Sequence, residues 1–176
     1  YVYEFFIRVS PSVLTSELMH DFKINAEQLG ILSAFFLYSY TFMQIPIGVL
    51  GDSLGPRKLL TICAVVCGTC TMAFAVTDSF TLASLARLGI GFGSSFAYIG
   101  PLMLASVWFH KRYYAMLSGA VQTLGCMGAI VGGAPIAYMA SKTSWQHTLV
   151  YAGIFGIALA VIFWLIIRDH PPRQQH

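Results

Sequence analysis

Long uncharged apolar runs dominate this sequence and limit what it can fold into. Short polar connections separate five runs that carry no charged residue: 29–50, 59–76, 88–109, 113–141 and 148–167. A helix needs about 20 apolar residues to cross the hydrocarbon core of a bilayer. Only 10% of the residues are charged, against about 25% in soluble domains. The runs are continuously apolar rather than alternating, which favours helices over the strands of a membrane barrel.

A partial apolar run from residue 1 to about residue 19 adds a sixth helix. Because Tyr1 already lies inside apolar sequence, we interpret this run as a first helix that has lost its start. The sequence therefore predicts an all-α integral membrane domain of six transmembrane helices over residues 1–170. Pro171 and Pro172 are expected to end the last helix, so that residues 171–176 begin a cytoplasmic linker.

The cations are distributed unequally among the connections. The second, fourth and final connections hold Arg57, Lys58, Lys111, Arg112, Arg168 and Arg173, and the other three hold Lys23 and Lys142. Connections rich in Lys and Arg stay in the cytoplasm. We therefore expect 51–58, 110–114 and the tail on the cytoplasmic side of a plasma membrane, the inner membrane in a bacterium. Trp108 and Trp145 lie near predicted helix ends, where aromatic rings favour the membrane interface.

The polar segment between the second and third spans has a distinctive pattern. It reads Gly48-Val-Leu-Gly-Asp52-Ser-Leu-Gly55-Pro-Arg57-Lys58, or G-x-x-x-D-x-x-G-x-R-K. One carboxylate, two cations and a Gly-Pro turn thus lie between two membrane-length helices. Such a set of groups at a membrane surface indicates a hinge rather than a random connection.

Arg8 is the first of two arginines that lie inside apolar spans. A charge there is costly unless it is paired or faces an aqueous cavity. Arg8 lies about ten residues, or ~15 Å, before the end of the first helix and therefore near the middle of a ~30 Å core. Its planar guanidinium suits a carboxylate or phosphate, which makes Arg8 a candidate for binding an anionic solute. The alternative is an ion pair with Glu4, one helical turn earlier.

Other polar residues in the spans add candidates for binding and coupling. Glu4 is a candidate proton acceptor, or it simply faces cytoplasmic water. Arg87 lies about a third of the way along the fourth span. Tyr40 and Gln44 share one face of the second helix, and Gln122 lies in the fifth. These three side chains either offer hydrogen bonds to a solute or hold helices together.

Glycines and cysteines in the spans have simpler interpretations. Gly89, Gly91 and Gly93 follow Arg87, but a dinucleotide-binding loop would need a preceding strand. Within a membrane span they favour close helix packing, as does the small-x-x-x-small pair Gly128 and Gly132. The cysteines are expected to be packing residues: Cys63, Cys67, Cys70 and Cys126. We expect no metal and no cofactor, because no second cysteine pair or nearby histidine completes a site.

The segment 48–58 resembles the signature loop between the second and third helices of major facilitator superfamily transporters. Arg87 with Gly91 is similar to the fourth-helix motif of the same family. The resemblance covers nearly the whole chain as the amino-terminal six-helix half, built as a 3+3 inverted repeat. It implies proton coupling through Arg87 and a gating latch formed by Gly48, Asp52, Gly55, Arg57 and Lys58. Ser53 departs from the family pattern, which commonly has a cation there, and this weakens the latch.

Three segments look most like the organic-anion symporters of phthalate and sugar-acid type. They are Tyr3-Glu-Phe-Phe-Ile-Arg8, Leu29-Gly-Ile-Leu-Ser-Ala-Phe and Gln44-Ile-Pro-Ile-Gly48, with Tyr40 beside the last. This resemblance implies that a first-helix arginine touches the anion. The segment Gly128-Ala129-Ile-Val-Gly132-Gly133 has the paired glycines of the drug exporters, but alanine replaces their proline. That difference counts against a proton-driven exporter.

The expected function is secondary active transport of a small organic anion, coupled to a proton or another cation, by alternating access. The expected partners are the solute, the coupling ion, the lipid bilayer and a missing carboxy-terminal six-helix half. A proton-driven exporter and a non-transporting sensor or scaffold on this fold remain alternatives. An intramembrane protease would pair Ser94 or Ser95 with a histidine, but all five histidines lie in connections or the tail. We therefore expect no enzyme, and no nucleic-acid partner because no basic stripe is present.

Overall fold

A computed structural model describes residues 1–168, nearly all of them helical. The α-helices of this part of the chain are α1 Val2–Val13, α2 Thr15–Asp21, α3 Ala26–Leu54, α4 Pro56–Val76, α5 Phe80–Ser94, α6 Phe96–Trp108, α7 Tyr114–Lys142 and α8 Trp145–Ile166. A 3-10 turn, Lys111–Tyr113, precedes α7. The expected linker 171–176 and the tail cation Arg173 lie outside the described residues.

The helices form the six predicted spans, with α1 and α2 as the first and α5 and α6 as the fourth. Five segments are long and apolar enough to cross a membrane, judged by length and composition: 26–54, 56–76, 80–108, 111–142 and 145–166. The first span is shorter and carries Glu4 and Arg8. The prediction of an all-α fold for a membrane protein is confirmed.

The predicted inverted repeat is visible in helix lengths and packing. Helices α3 and α7 each have 29 residues, and α4 and α8 have 21 and 22. The first and fourth spans are both interrupted, at Leu14 and Ser95. The largest packing interfaces are those of α4 with α8, α4 with α5, α3 with α5, and α1 with α7. Exchanging the first three spans with the last three interchanges the α3–α5 and α1–α7 interfaces and leaves α4–α8 unchanged, whereas the α4–α5 interface has no equally large counterpart between α1 and α8.

Pro11 accounts for the interruption of the first span. Proline has no N–H, so the carbonyl of Ile7 loses its helical partner. The Ser10 hydroxyl replaces that partner and donates to the Ile7 carbonyl at 2.8 Å. Thr15 Oγ1 donates to the carbonyl of Pro11 at 3.1 Å. Side-chain hydroxyls thus satisfy backbone groups that a proline frees inside a membrane.

Glycines bring α5 against both of its neighbours. A Cβ atom at Gly93 would lie 2.6 Å from the backbone nitrogen of Cys67 in α4, and one at Gly91 would collide with the carbonyl of Phe36 in α3. On α7, a Cβ at Gly128 would lie 2.8 Å from a methyl carbon of Val2 in α1. The prediction that these glycines serve close helix packing is confirmed.

The contact between α4 and α8 depends on a glycine pair that the sequence analysis did not single out. A Cβ at Gly68 would lie 2.8 Å from the carbonyl oxygen of Gly153, and one at Gly153 would lie 2.7 Å from that of Gly68. The two backbones are therefore in contact, and the crossing of α4 and α8 leaves no room for a side chain at either glycine.

The bundle has two ends, which we name after one residue each. The Asp21 end carries the connections near residues 22–25, 77–79 and 143–144, and the Arg57 end carries Gly55 and 109–113. Much of the buried core lies toward the Asp21 end, including Leu18, Phe74 and Trp145. Trp145, the first residue of α8, is buried at this end against Phe22 and Phe74.

Candidate solute and coupling site

Arg8 lies half-buried on α1 between two aromatic rings. Its guanidinium carbon is 5.5 Å from the centroid of Phe5 and 5.7 Å from that of Tyr40 in α3. Within residues 1–168 no carboxylate lies within 4.0 Å of the Arg8 guanidinium, so the alternative ion pair with Glu4 does not form. Ring faces attract a cation but leave its hydrogen-bond donors available to an anion.

Tyr40 and Gln44 lie beside Arg8, on the adjacent helix. The Tyr40 ring stacks on Phe36 with 5.9 Å between centroids, and its hydroxyl is close enough to Arg8 and Tyr98 for electrostatic interaction. Gln44 is half-buried one turn further along α3. Arg8, Tyr40 and Gln44 therefore share one region of the structure, as a common binding surface requires.

Gln122 joins this region through Tyr1. The Tyr1 hydroxyl donates to Gln122 Oε1 at 2.9 Å, and the Tyr1 ring lies 5.2 Å from the ring of Tyr98. Tyr98, in turn, is 3.1 Å from the Ser118 hydroxyl. We call Tyr1, Arg8, Tyr40, Gln44, Tyr98 and Gln122 the polar patch. Sequence reasoning missed Tyr1 and Tyr98, whose proximity to the other four depends on helix packing alone.

Glu4 lies deeper than Arg8, with 2% of its surface exposed. Neither carboxylate oxygen has a hydrogen-bond partner within the described chain. Glu4 borders a cavity of about 520 Å³ that also meets Cys67 and Ser94. An isolated carboxylate in such a place is costly in its charged form, so it is suited to holding a proton. Glu4 is buried, in contrast to the alternative interpretation in which it faces cytoplasmic water.

Arg87 is also 2% exposed, and it does not contact Glu4. Its guanidinium carbon lies 5.4 Å from the ring centroid of Phe36 and 5.5 Å from that of Phe74. Its Nε atom has no hydrogen-bond partner within residues 1–168. The two candidate coupling residues are thus separate, with the buried Cys67 of α4 close to both.

The signature segment 48–58 is almost entirely helical instead of the expected loop. Helix α3 continues to Leu54, α4 begins at Pro56, and Gly55 alone joins them with φ 82°. Asp52 and Lys58 are exposed. A Cβ at Gly48 would meet nothing within 4 Å. These three positions leave their surfaces open to a further partner.

Arg57 is bound within this chain, at the end of α8. Its Nε and Nη2 atoms donate to the carbonyl of Trp164 at 3.0 and 2.6 Å, and its guanidinium carbon lies 4.4 Å from the Trp164 ring. A cation at a helix C-terminus also interacts favourably with the helix dipole. Arg57 therefore fixes the start of α4 to the end of α8.

Asp21 joins α2 to α8 at the opposite end. Its Oδ2 atom accepts from Trp145 Nε1 at 2.6 Å and from Gln146 Nε2 at 3.0 Å, and its Oδ1 atom is 3.0 Å from His20 Nδ1. The hydrogen bond with His20, together with those from Trp145 and Gln146, holds the pKa of Asp21 below its usual range.

The cysteines differ in their surroundings. Cys63 and Cys67 are buried, Cys70 is half-buried and Cys126 is exposed. The packing interpretation therefore fits Cys63 and Cys67 best and does not fit Cys126. Within residues 1–168 no cluster of three or more His, Cys, Asp and Glu side chains is suited to a metal ion.

Comparison with known proteins gives a consistent result. The family model described as Major Facilitator Superfamily matches residues 2–176. The chain is 26% identical over 163 residues to the hexuronate transporter of Escherichia coli strain K12, covering 90% of this chain and 37% of that protein. It is 20% identical over 167 residues to the probable sulfoacetate transporter of Cupriavidus necator, covering 95% and 39%.

A solved structure has the same fold. It is a bacterial homolog of the human lysosomal transporter Spinster in an inward-facing, occupied conformation. The TM-score is 0.86 at 20% identity, and the match covers 97% of this chain and 43% of that one. The chain thus spans less than half the length of the relatives it matches.

Proposed function

Because this chain belongs to the major facilitator superfamily, we propose that it is the amino-terminal half of a secondary transporter that carries a small organic anion by alternating access. The observation that carries this proposal is Arg8, an arginine within the first span that has no carboxylate partner in the described chain. The names of relatives support it, since hexuronate and sulfoacetate are both organic anions.

The polar patch suits a sugar acid or a similar solute. Arg8 offers the forked donors that fit a carboxylate. Tyr40, Gln44 and Gln122 offer hydroxyl and amide groups to the hydroxyls of such a solute. Tyr1 already occupies Gln122 Oε1, so a bound solute would either displace Tyr1 or use the remaining donors of that amide.

Glu4 couples a proton to solute binding in this proposal, with Arg87 as the second coupling residue. Glu4 lies one helical turn before Arg8. When Glu4 is protonated and neutral, the Arg8 charge acts on the solute alone and attracts an anion. When Glu4 loses its proton, its negative charge offsets Arg8 and favours release. Solute and proton thereby increase each other's affinity, as linkage requires.

The latch acts at the Arg57 end, which faces the cytoplasm of a plasma membrane in this proposal. Asp52 and Lys58, both exposed, would contact the second half. Arg57 would instead hold the latch to α8. A cysteine placed at residue 58 should react with a membrane-impermeant thiol reagent from the cytoplasmic side alone.

The cavity beside Glu4 supports the proposal that the first helix continues before Tyr1. Its walls are mostly apolar residues of α4, α6, α7 and α8, with Ser94 at the end of α5, and they extend to Trp108 and to Ile167 just after α8. A helix extended backward from Tyr1 would run along these walls. Residues of that extension should crosslink to α8 in the full-length protein, and this measurement tests the placement.

Uptake of radiolabelled D-glucuronate by proteoliposomes containing the full-length protein tests the function. With an inward proton gradient, the wild-type protein should accumulate the label. Arg8→Ala should raise KM about 10-fold to 100-fold, because a hydrogen-bonded charge contributes ~1.5–3 kcal/mol. Glu4→Gln should bind solute independently of pH but no longer use the proton gradient.

The matched control is Arg112→Ala, which removes an exposed arginine at the Arg57 end and should leave KM within about twofold. Galactarate and sulfoacetate serve as further labelled solutes. If none of the three anions enters, the anion proposal is wrong. If Arg8→Ala retains the wild-type KM, the assignment of Arg8 fails.

A further inference from the structure

Arg87 is a buried cation that has no carboxylate beside it in the described chain. Charged side chains inside a membrane usually pair with an opposite charge or line a watery path. Within residues 1–168 no carboxylate lies within 4.0 Å of the Arg87 guanidinium, and its Nε atom has no hydrogen-bond acceptor. Some other interaction must offset the cost of burying this charge.

Two phenyl rings enclose the Arg87 guanidinium. Phe36 comes from α3 and Phe74 from the end of α4, and their centroids lie 5.4 and 5.5 Å from its central carbon. Both rings are at most 2% exposed. The face of an aromatic ring carries negative potential, and its attraction for a cation is strongest when both are removed from water.

The same two rings connect Arg87 to the polar patch on one side and to the Asp21 end on the other. Phe36 stacks on Tyr40 at 5.9 Å, and Tyr40 faces Arg8. Phe74 lies 6.1 Å from Trp145, whose Nε1 donates to Asp21. Rings and charged groups thus form one continuous series of contacts, from the polar patch to the surface of the Asp21 end.

We propose that Phe36 and Phe74 are positioning residues that hold Arg87 in its charged form between α3 and α4 by cation–π contact, and that Phe36 also sets the position of Tyr40 against Arg8. The transport part of this inference rests on the proposed function. The part that concerns Arg87 does not, because it follows from burial and geometry.

If Phe36 and Phe74 only filled apolar space, side chains of similar volume could replace them whatever the electron density of their faces. A leucine fills much of the same volume but has no negative face, and a ring with fluorine substituents keeps nearly the same shape while its face loses electron density. Replacing Phe36 or Phe74 with mono-, di- and trifluorophenylalanine therefore changes the proposed interaction and leaves packing almost unaltered. Phe96 is the matched control, since it is 0% exposed and no described cation lies over its ring.

Thermal unfolding of the purified full-length protein is the first measurement. The melting temperature should fall stepwise with each fluorine at Phe36 and at Phe74, and it should not follow fluorine number at Phe96. Equal melting temperatures across all three fluorine series would overturn the cation–π assignment.

Uptake of D-glucuronate is the second measurement, and it separates the two rings. Trifluorophenylalanine at Phe74 should lower turnover about tenfold with KM unchanged, because Phe74 is remote from Arg8. At Phe36 it should lower turnover and also raise KM, because Tyr40 stacks on that ring. Unchanged turnover at both positions would overturn the positioning role.

The two measurements distinguish failure of this inference from failure of the proposed function. If the wild-type protein moves none of the three anions but the stepwise loss of stability is found, the solute class is wrong and the role of the rings at Arg87 stands. If uptake occurs and neither stability nor turnover follows fluorine number, the inference is wrong and the transport proposal stands.

Discussion

Gly55 determines the junction between α3 and α4 at the level of a single residue. Its φ of 82° and ψ of 150° lie in a region that is accessible almost only to glycine. No other residue separates the two helices, so no neighbouring position can take up the change of direction. Gly48, seven residues earlier, lies inside α3 and has free space around its Cβ position.

We therefore predict opposite effects for two alanine substitutions in one motif. Gly55→Ala should destabilise the full-length protein by ~1–3 kcal/mol, because alanine is strained at that backbone conformation. Gly48→Ala should leave stability unchanged or raise it by up to ~1 kcal/mol, since alanine favours a helix. Thermal unfolding of both variants measures this, and equal melting temperatures would contradict it.

Single residues also show where the sequence was informative and where it was not. Arg8 and Arg87 could be found without a structure, because a charge inside an apolar run is rare and costly. Phe36 and Phe74 could not be found, since the chain has 13 phenylalanines and apolar rings are common in any span. What distinguishes these two is a cation from another helix.

At the scale of elements, the Asp21 end is held by side chains and not by a long connection. Asp21 at the end of α2 accepts hydrogen bonds from Trp145 and Gln146 at the start of α8. These hydrogen bonds join the first and sixth spans through residues that lie more than 120 positions apart in the sequence. Hydrogen bonds to a carboxylate are stronger in its charged form, so we expect the protonation state of Asp21 to matter for this tie.

This tie predicts a pH dependence whose sign follows from Asp21. A carboxylate with a depressed pKa in the folded protein stabilises it above the unfolded pKa of ~4, and this contribution is lost as the pH falls. Asp21→Asn should therefore lower the melting temperature at pH 7 by ~2–4 °C, a small effect because the side chain is partly exposed. The gap to the wild-type protein should narrow as the pH falls below ~4.

The control for this experiment is Asp78→Asn, at an exposed aspartate of the same end. It should shift the melting temperature little at any pH. A gap between Asp21→Asn and the wild-type protein that stays constant from pH 7 to pH 3 would show that the tie does not depend on the Asp21 charge.

Helices were predictable as elements, but several of their ends and breaks were not. The apolar runs located every span because the bilayer fixes its length. Helix α3 nevertheless continues through Asp52, since a helix satisfies its backbone hydrogen bonds even where it leaves the apolar run. Pro11 lies three residues before the break in the first span. The matching interruption at Ser95 has no proline beside it, but it directly follows Gly93 and Ser94, a combination at which helices kink.

At the scale of the whole molecule, α3 and α7 present wide apolar surfaces without a partner in the described chain. Phe42, Ile45 and Val49 of α3 are more than 60% exposed, as are Ile130 and Tyr138 of α7. Lipid and a second six-helix half are the expected neighbours of these surfaces. The relatives are more than twice as long as this chain, which is consistent with such a half.

We accordingly predict that these 176 residues do not transport by themselves. Alternating access needs a second half that moves against the first around a shared site. Proteoliposomes with this chain alone should show no D-glucuronate accumulation, whereas those with the full-length protein should. Accumulation by the isolated chain would contradict the proposal that it is one half of the transporter.

The near-equal lengths of α3 and α7, and of α4 and α8, have a physical cause. Helices of 29 and 29 residues, and of 21 and 22, occupy corresponding places in the two repeats. Both helices of each pair cross the same hydrocarbon core, whose thickness sets the number of helical residues that a span requires.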